Sequence, residues 1–146
     1  MTSPGYVAAF DELRPTMLAR LVEVRASLDH AIARWPSEAA QAMFEKVLLG
    51  LQTLMASSDQ ALHRGFVRSF VALRGAEGLA PDHALRLLVA IGDVAIQVAK
   101  AARPDDTALP LAITYALRIT ARQVNEVTAD ELARRLAQRR QTEAWR

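Results

Sequence analysis

Apolar residues recur every three or four positions along most of this chain, the spacing that puts them on one face of an α-helix. Met17, Leu18, Leu21, Val24, Leu28, Ile32 and Trp35 form one such face, with Arg20, Glu23, Arg25 and Arg34 turned away from it. Pro36 lacks the N–H needed to continue that helix, so a stop is predicted there. Ser37 is then the expected N-cap of a second helix, with Glu38 at the positive end of its dipole and Met43, Phe44, Val47, Leu48, Leu51, Leu54 and Met55 as its stripe. Ser57 and Gln60 have capping-box spacing and predict the start of a third helix, which carries Leu62, Phe66, Phe70 and Leu73 inward and ends at Gly78 in the left-handed conformation. Pro81 opens a fourth helix. The segment Arg103-Pro104-Asp105-Asp106-Thr107 is a loop, and a fifth helix follows from about Leu109 with Ile113, Leu117, Val124 and Val127 inside. Thr128 and Glu131 repeat the capping-box spacing, which leaves open whether that helix is continuous or breaks near Thr128. Upstream, Val7, Phe10 and Leu13 predict a short helical turn ahead of Pro15. No internal repeat or hairpin signal is present.

The stretch from Leu85 to Ala102, LRLLVAIGDVAIQVAKAA, departs from this amphipathic pattern because Leu, Val, Ile and Ala fill most of its circumference. Its polar residues Arg86, Asp93, Gln97 and Lys100 are spaced by seven, four and three, so they share one narrow face. A central Asp costs about 2.5–3.5 kcal/mol in a bilayer, which argues against a membrane span. The alternative is a helix enclosed on several sides, either at the centre of a bundle or also against a second subunit. Gly92 weakens a helix interior by about 1 kcal/mol relative to Ala, and close approach of another backbone is the expected reason for its presence. Leu88, Ile91, Gly92, Asp93, Val94, Ala95, Gln97 and Val98 are therefore the candidate interface or ligand residues. Asp93 is expected either to reach water or an Arg, or to line a cavity with Gln97.

Composition sharpens this picture. At 146 residues, 51% hydrophobic and 23% charged, the chain has the size and balance of one soluble domain. Ala is its commonest residue, and Arg outnumbers Lys sixteen to two. The predicted fold is all-α, a single bundle of about five or six helices over residues 1–146, with 128–146 a basic C-terminal helical extension. The net charge of +2 is uneven: from residue 118 onward seven Arg face four acids. Glu126, Asp130, Glu131 and Glu143 interrupt that basic field, so a solvated face is favoured over nucleic acid or an anionic membrane. The absence of Cys removes disulfides, thiolate nucleophiles and Cys-ligated metals. The N-terminal segment lacks the pattern of a secretory signal, and a cytoplasmic setting is the expectation.

No Glu-x-x-His pair, H-E-x-x-H, P-loop or G-x-G-x-x-G motif occurs. His30, His63 and His83 fall on three different predicted helices, without a nucleophile–base arrangement, and are read as surface or helix-end residues. No catalytic residue, metal or cofactor is expected. Haem on His63, beside Leu62, Phe66 and Phe70, is an alternative, although residues 84–146 contain no His to serve as a late axial ligand. A helix-turn-helix across Gly78 and Pro81 is disfavoured because its second helix is almost wholly apolar.

The run SSDQALHRGFVRSF through VALRGAEGLAPDHALRLLVAIGDVAIQVAK resembles the N-terminal sensor domain of stressosome-type co-antagonist proteins, a globin-like helical domain without haem. The likeness rests on a helix ending in Arg74, Glu77 and Gly78, followed at once by an apolar helix, and it covers about residues 37–127. It implies a homodimer packed helix against helix, relaying a signal or partner contact through its last helix. In that family the last helix leads into an output domain, whereas this chain stops at Arg146, so it is expected to act alone on a protein partner or to be part of a longer protein. The function expected is a non-enzymatic helical sensor or adaptor. Alternatives are a haem- or small-ligand-binding globin-like protein and a basic-tail protein associated with nucleic acid or membrane.

Overall fold

Six helices joined by connections of one to five residues make up the chain in the computed structural model, which describes residues 4–145. They are α1 (Gly5–Leu28), α2 (His30–Ala33), α3 (Ser37–Ser57), α4 (Gln60–Ala76), α5 (Pro81–Ala102) and α6 (Ala108–Ala144), and there is no strand among the described residues. The protein is an all-α bundle of six helices. Its centre is α5, which packs most extensively on α6, then on α1, and less on α4 and α3. Leu87, Leu88, Ile91, Val94, Ala95 and Ala99 are buried, while Arg86, Asp93, Gln97 and Lys100 are all exposed along one seam. The near-uniform apolar circumference thus has its explanation in three-sided enclosure.

Gly92 sits at the α5–α6 contact. A Cβ placed on it would fall 2.3 Å from both methyl carbons of Leu117, so the close approach involves a side chain of α6 rather than a backbone.

Several boundaries differ from the sequence expectation, each for a local reason. Helix α1 runs straight through Pro15, and the turn expected upstream is its first half. Phe10 on one side of the proline and Met17 and Leu21 on the other are fully buried, so tertiary packing holds the helix across the missing hydrogen bond. Arg14 donates to Asp11 (2.6 Å) and to Gln52 (2.5 Å), and Gln52 donates to Asp11 (3.0 Å), tying that turn to α3. The Gln52 hydrogen bond, then Arg14, lowers the Asp11 pKa. The helix ends at Leu28 rather than Trp35, because Asp29 is extended and its carboxylate accepts from Ala31 N (2.7 Å), starting α2.

Caps differ too. Ser37 is already inside α3 and accepts from Arg25 instead of capping. Ser57 lies at the end of α3, and it is Asp59 that caps α4 by accepting from Leu62 N (3.0 Å). Asp106 accepts from Ala108 N and Leu109 N (both 3.1 Å) at the start of α6. Thr128 donates to Val124 O (2.7 Å) as an interior helical residue, and α6 is unbroken there. Gly78 at φ +89° and Pro81 in the first turn of α5 stand where the sequence placed them.

The larger difference is the rotation of α4. Its inner face is His63, Val67, Phe70 and Arg74, whereas Leu62 and Leu73 are 59% and 55% exposed and Phe66 is half-buried. The helix is turned by roughly one residue, about 100°, from the expected orientation. Polar groups can be buried at small cost when they are bonded: His63 meets Thr120, whereas Arg74 bonds Glu77 through Nη2 alone and leaves its buried Nε and Nη1 without a hydrogen bond.

Replacing Gly92 with Ala is expected to cost about 1–3 kcal/mol through overpacking against Leu117, offset by about 1 kcal/mol of helix propensity, for a net loss of at most about 2 kcal/mol. Adding Leu117→Ala to that variant should recover part of the loss, measured as a denaturant midpoint. Additive losses in the double variant would contradict the contact.

Candidate functional site

Buried polar chemistry is concentrated where α4 crosses α6. Thr120 Oγ1 lies 2.8 Å from Ala116 O within its own helix and 2.8 Å from His63 Nε2 across to α4. Gln123 Nε2 donates to Gln60 O (2.7 Å), and Arg122 donates to Gln60 Oε1 (2.5 Å). Arg64 pairs with Glu126, which Arg122 also approaches at 3.6 Å. Burial lowers the His63 pKa, and the Gly50 carbonyl opposes that shift. The result is a neutral imidazole sealed between helices beside Phe66, whose ring centroid is 5.5 Å away.

This seam is a lock between α4 and α6. The Thr120 hydroxyl is committed to a main-chain carbonyl, and His63, Thr120 and Gln123 are at most 4% exposed. His30 and His83 are exposed as expected, but His63 is not a surface residue. Its Nε2 is already engaged. Thr120 stands on the apolar stripe of α6, but His63, in the first turn of α4, lies beside the stripe read from the sequence, so no sequence signal marked the pair.

Arg74 forms a second buried polar site. Its guanidinium lies 4.8 Å from the Trp35 ring centroid and 5.3 Å from that of Phe70, and it bonds Glu77 at 3.3 Å. Burial lowers its pKa and Glu77 opposes the shift. Arg74 thereby anchors the end of α4 to the Trp35 region.

The residues singled out on α5 are divided by the structure. Leu88, Ile91, Gly92, Val94 and Ala95 are buried within this one chain, and the neighbouring helices account for that burial. Asp93 is exposed and lines neither of the two concavities described next. Gln97 and half-buried Val98 border an open groove of about 630 Å³ shared with Thr16 and Arg20 of α1. A smaller cavity of about 130 Å³ lies between Tyr6, Met55, Tyr115 and Ile119. Among the described residues there is no cluster of three His, Asp or Glu side chains able to hold a metal, and no helix is long and apolar enough to cross a membrane.

The most distinctive surface is the C-terminal part of α6. Ile113, Ala116, Thr120, Gln123, Val124 and Val127 form its inner stripe, but the same stripe continues as Glu131, Arg134, Gln138 and Gln141. Every residue from Leu132 to Trp145 is exposed. Leu132 and Leu136 are 58% and 46% exposed. Roughly four turns of helix therefore stand clear of the bundle.

Comparison of the chain with models of known protein families, with curated proteins and with solved structures gave no match.

The depressed pKa of His63 makes stability depend on pH. Above its ordinary value of 6.5 the imidazole is neutral in both folded and unfolded chains; as pH falls below 6.5 the unfolded chain takes up a proton that the folded one resists. Stability should decline from there until the folded-state value is reached. A His63→Gln variant should lack this component, visible as a flatter Tm-against-pH curve. Parallel curves for the two proteins would show that His63 is not the group responsible.

Proposed function

We propose that this protein is a non-enzymatic helical adaptor of the sensor type, which self-associates and meets its partner through the exposed end of α6. The observation that carries this reading is a helix that leaves its own bundle after Val127 yet still displays Leu132 and Leu136. Isolated helical segments of this length are marginal in water, and exposed Leu on such a segment is favoured when a second surface covers it. The polar groups inside the bundle hold helices together, so the reading places function on the outside.

Nucleic acid or an anionic membrane would require the basic residues on one side. Arg134, Arg135, Arg139 and Arg140 are spaced so that they surround the helix, and Glu131 already engages Arg134 and Arg135. A protein partner fits this distribution better.

Light scattering over a micromolar dilution series should give a mass twice the 16.0 kDa of the chain at its upper end. A monomer throughout the series would overturn the self-associating role.

A further inference from the structure

The cavity of about 130 Å³ is set where the start of α1, the α3–α4 turn and the first half of α6 meet. Leu54 and Met55 of α3 and Ala116 and Ile119 of α6 form its floor, and all four are buried. Ser58, Gln60 and Tyr115 at its mouth are exposed, with Tyr6 half-buried beside them. Among the described residues no charged side chain lines it. Protein interiors leave few voids larger than a water molecule, and a stable buried water needs two to four polar partners that the side chains of this floor do not offer. The volume is close to the roughly 150 Å³ of an apolar cavity that takes up benzene.

The mouth carries a second, independent feature. Ser58 closes α3 in the left-handed conformation at φ 56°, and it is the one residue other than Gly with a positive φ among the described residues. That conformation is unfavourable for a residue with a Cβ, and Gly78 adopts it beyond the end of α4 without strain. What Ser adds at this position is a hydroxyl. The neighbouring Ser57 hydroxyl donates to Thr53 O (2.8 Å) and accepts from Asp59 N (3.2 Å), whereas that of Ser58 has no hydrogen-bond partner among the described residues.

Together these features select a ligand. An ionised group would lose its hydration here with no opposite charge to offset the loss. Tyr6 and Tyr115 flank the mouth with aromatic rings and Met55 adds a thioether, surfaces that favour an aromatic over an aliphatic occupant. We propose that this cavity binds a small neutral molecule of one aromatic ring and one hydroxyl, with the ring on Leu54, Met55 and Ile119 and the hydroxyl at Ser58. Tyr115 lies about 25 Å along α6 from Leu132, so occupancy can be read whether or not the exposed end of α6 self-associates.

Phenol is the probe. Titrated into the full-length, nitrogen-15-labelled protein, it should shift the amide resonances around the cavity along saturating curves with a Kd of about 1 mM or tighter, a range open to a ligand of its size. Benzoate and cyclohexanol should each bind roughly tenfold more weakly or worse. Ala112, half-buried, also lines the cavity, and Ala112→Leu should fill it and weaken phenol by roughly tenfold or more. Ser58→Gly should weaken phenol by about three- to tenfold while the Tm holds or rises, because Gly keeps the left-handed turn and lacks only the hydroxyl.

Shifts that grow linearly without saturating, or a saturable site that Ala112→Leu leaves at full strength, would overturn the assignment. Equal binding of benzoate or cyclohexanol would overturn the ligand class. Should Ala112→Leu fail to fold, phenol affinity unchanged in Ser58→Gly would overturn the inference on its own.

Discussion

A helix that is apolar around most of its circumference has to be covered on several sides, and α5 imposes that requirement on everything else in this chain. Its Leu and Ile side chains and most of its Val are taken up by α6, α1 and α4, leaving Arg86, Asp93, Gln97 and Lys100, with Val89 among them, as a single wet seam. The absence of a Cβ at Gly92 lets Leu117 close the α5–α6 contact. Once α5 is surrounded in this way, α1 must run as one long element past Pro15, because Phe10 and Met17 on either side of the proline both belong to the same core.

Enclosing α5 also determines how α4 and α6 meet. Their shared seam is polar, with His63 and Thr120 in contact and Gln123 bonded through Nε2 alone, while Leu62 and Leu73 are left outside. Burial of a hydrogen-bonded imidazole is tolerable, but burial of the same group without a partner would cost about 1–3 kcal/mol. Thr120 is therefore as much a determinant of the rotation of α4 as any apolar residue. Arg74 acts in the same way at the other end of α4, where Trp35 and Phe70 face the guanidinium.

Helix α6 belongs to two environments. Up to Val127 it is a core element, and beyond that point its inward stripe turns polar while Leu132 and Leu136 face the other way. The change of face within one unbroken helix is what separates a closed body from an exposed arm. It also places Asp130, Arg139 and Arg140, which have no ion-pair partner among the described residues, on the part of the molecule that the bundle does not cover. The surface proposed for partner binding lies outside the core, on the last turns of α6.

The one-dimensional pattern determined the all-α class, the place of α5 at the centre, its hydrophilic seam, the left-handed Gly78, the proline start of α5 and the loop at 103–107. Each of these depends on local periodicity or on the backbone preferences of one residue, which the chain carries wherever it folds. Tertiary structure alone decided the passage of α1 through Pro15, the break at Asp29, the rotation of α4 and the departure of α6 from the bundle. These depend on partners distant in sequence. Whether His63 can be buried is settled by Thr120, 57 residues away, and whether Leu132 is covered depends on where the other helices end.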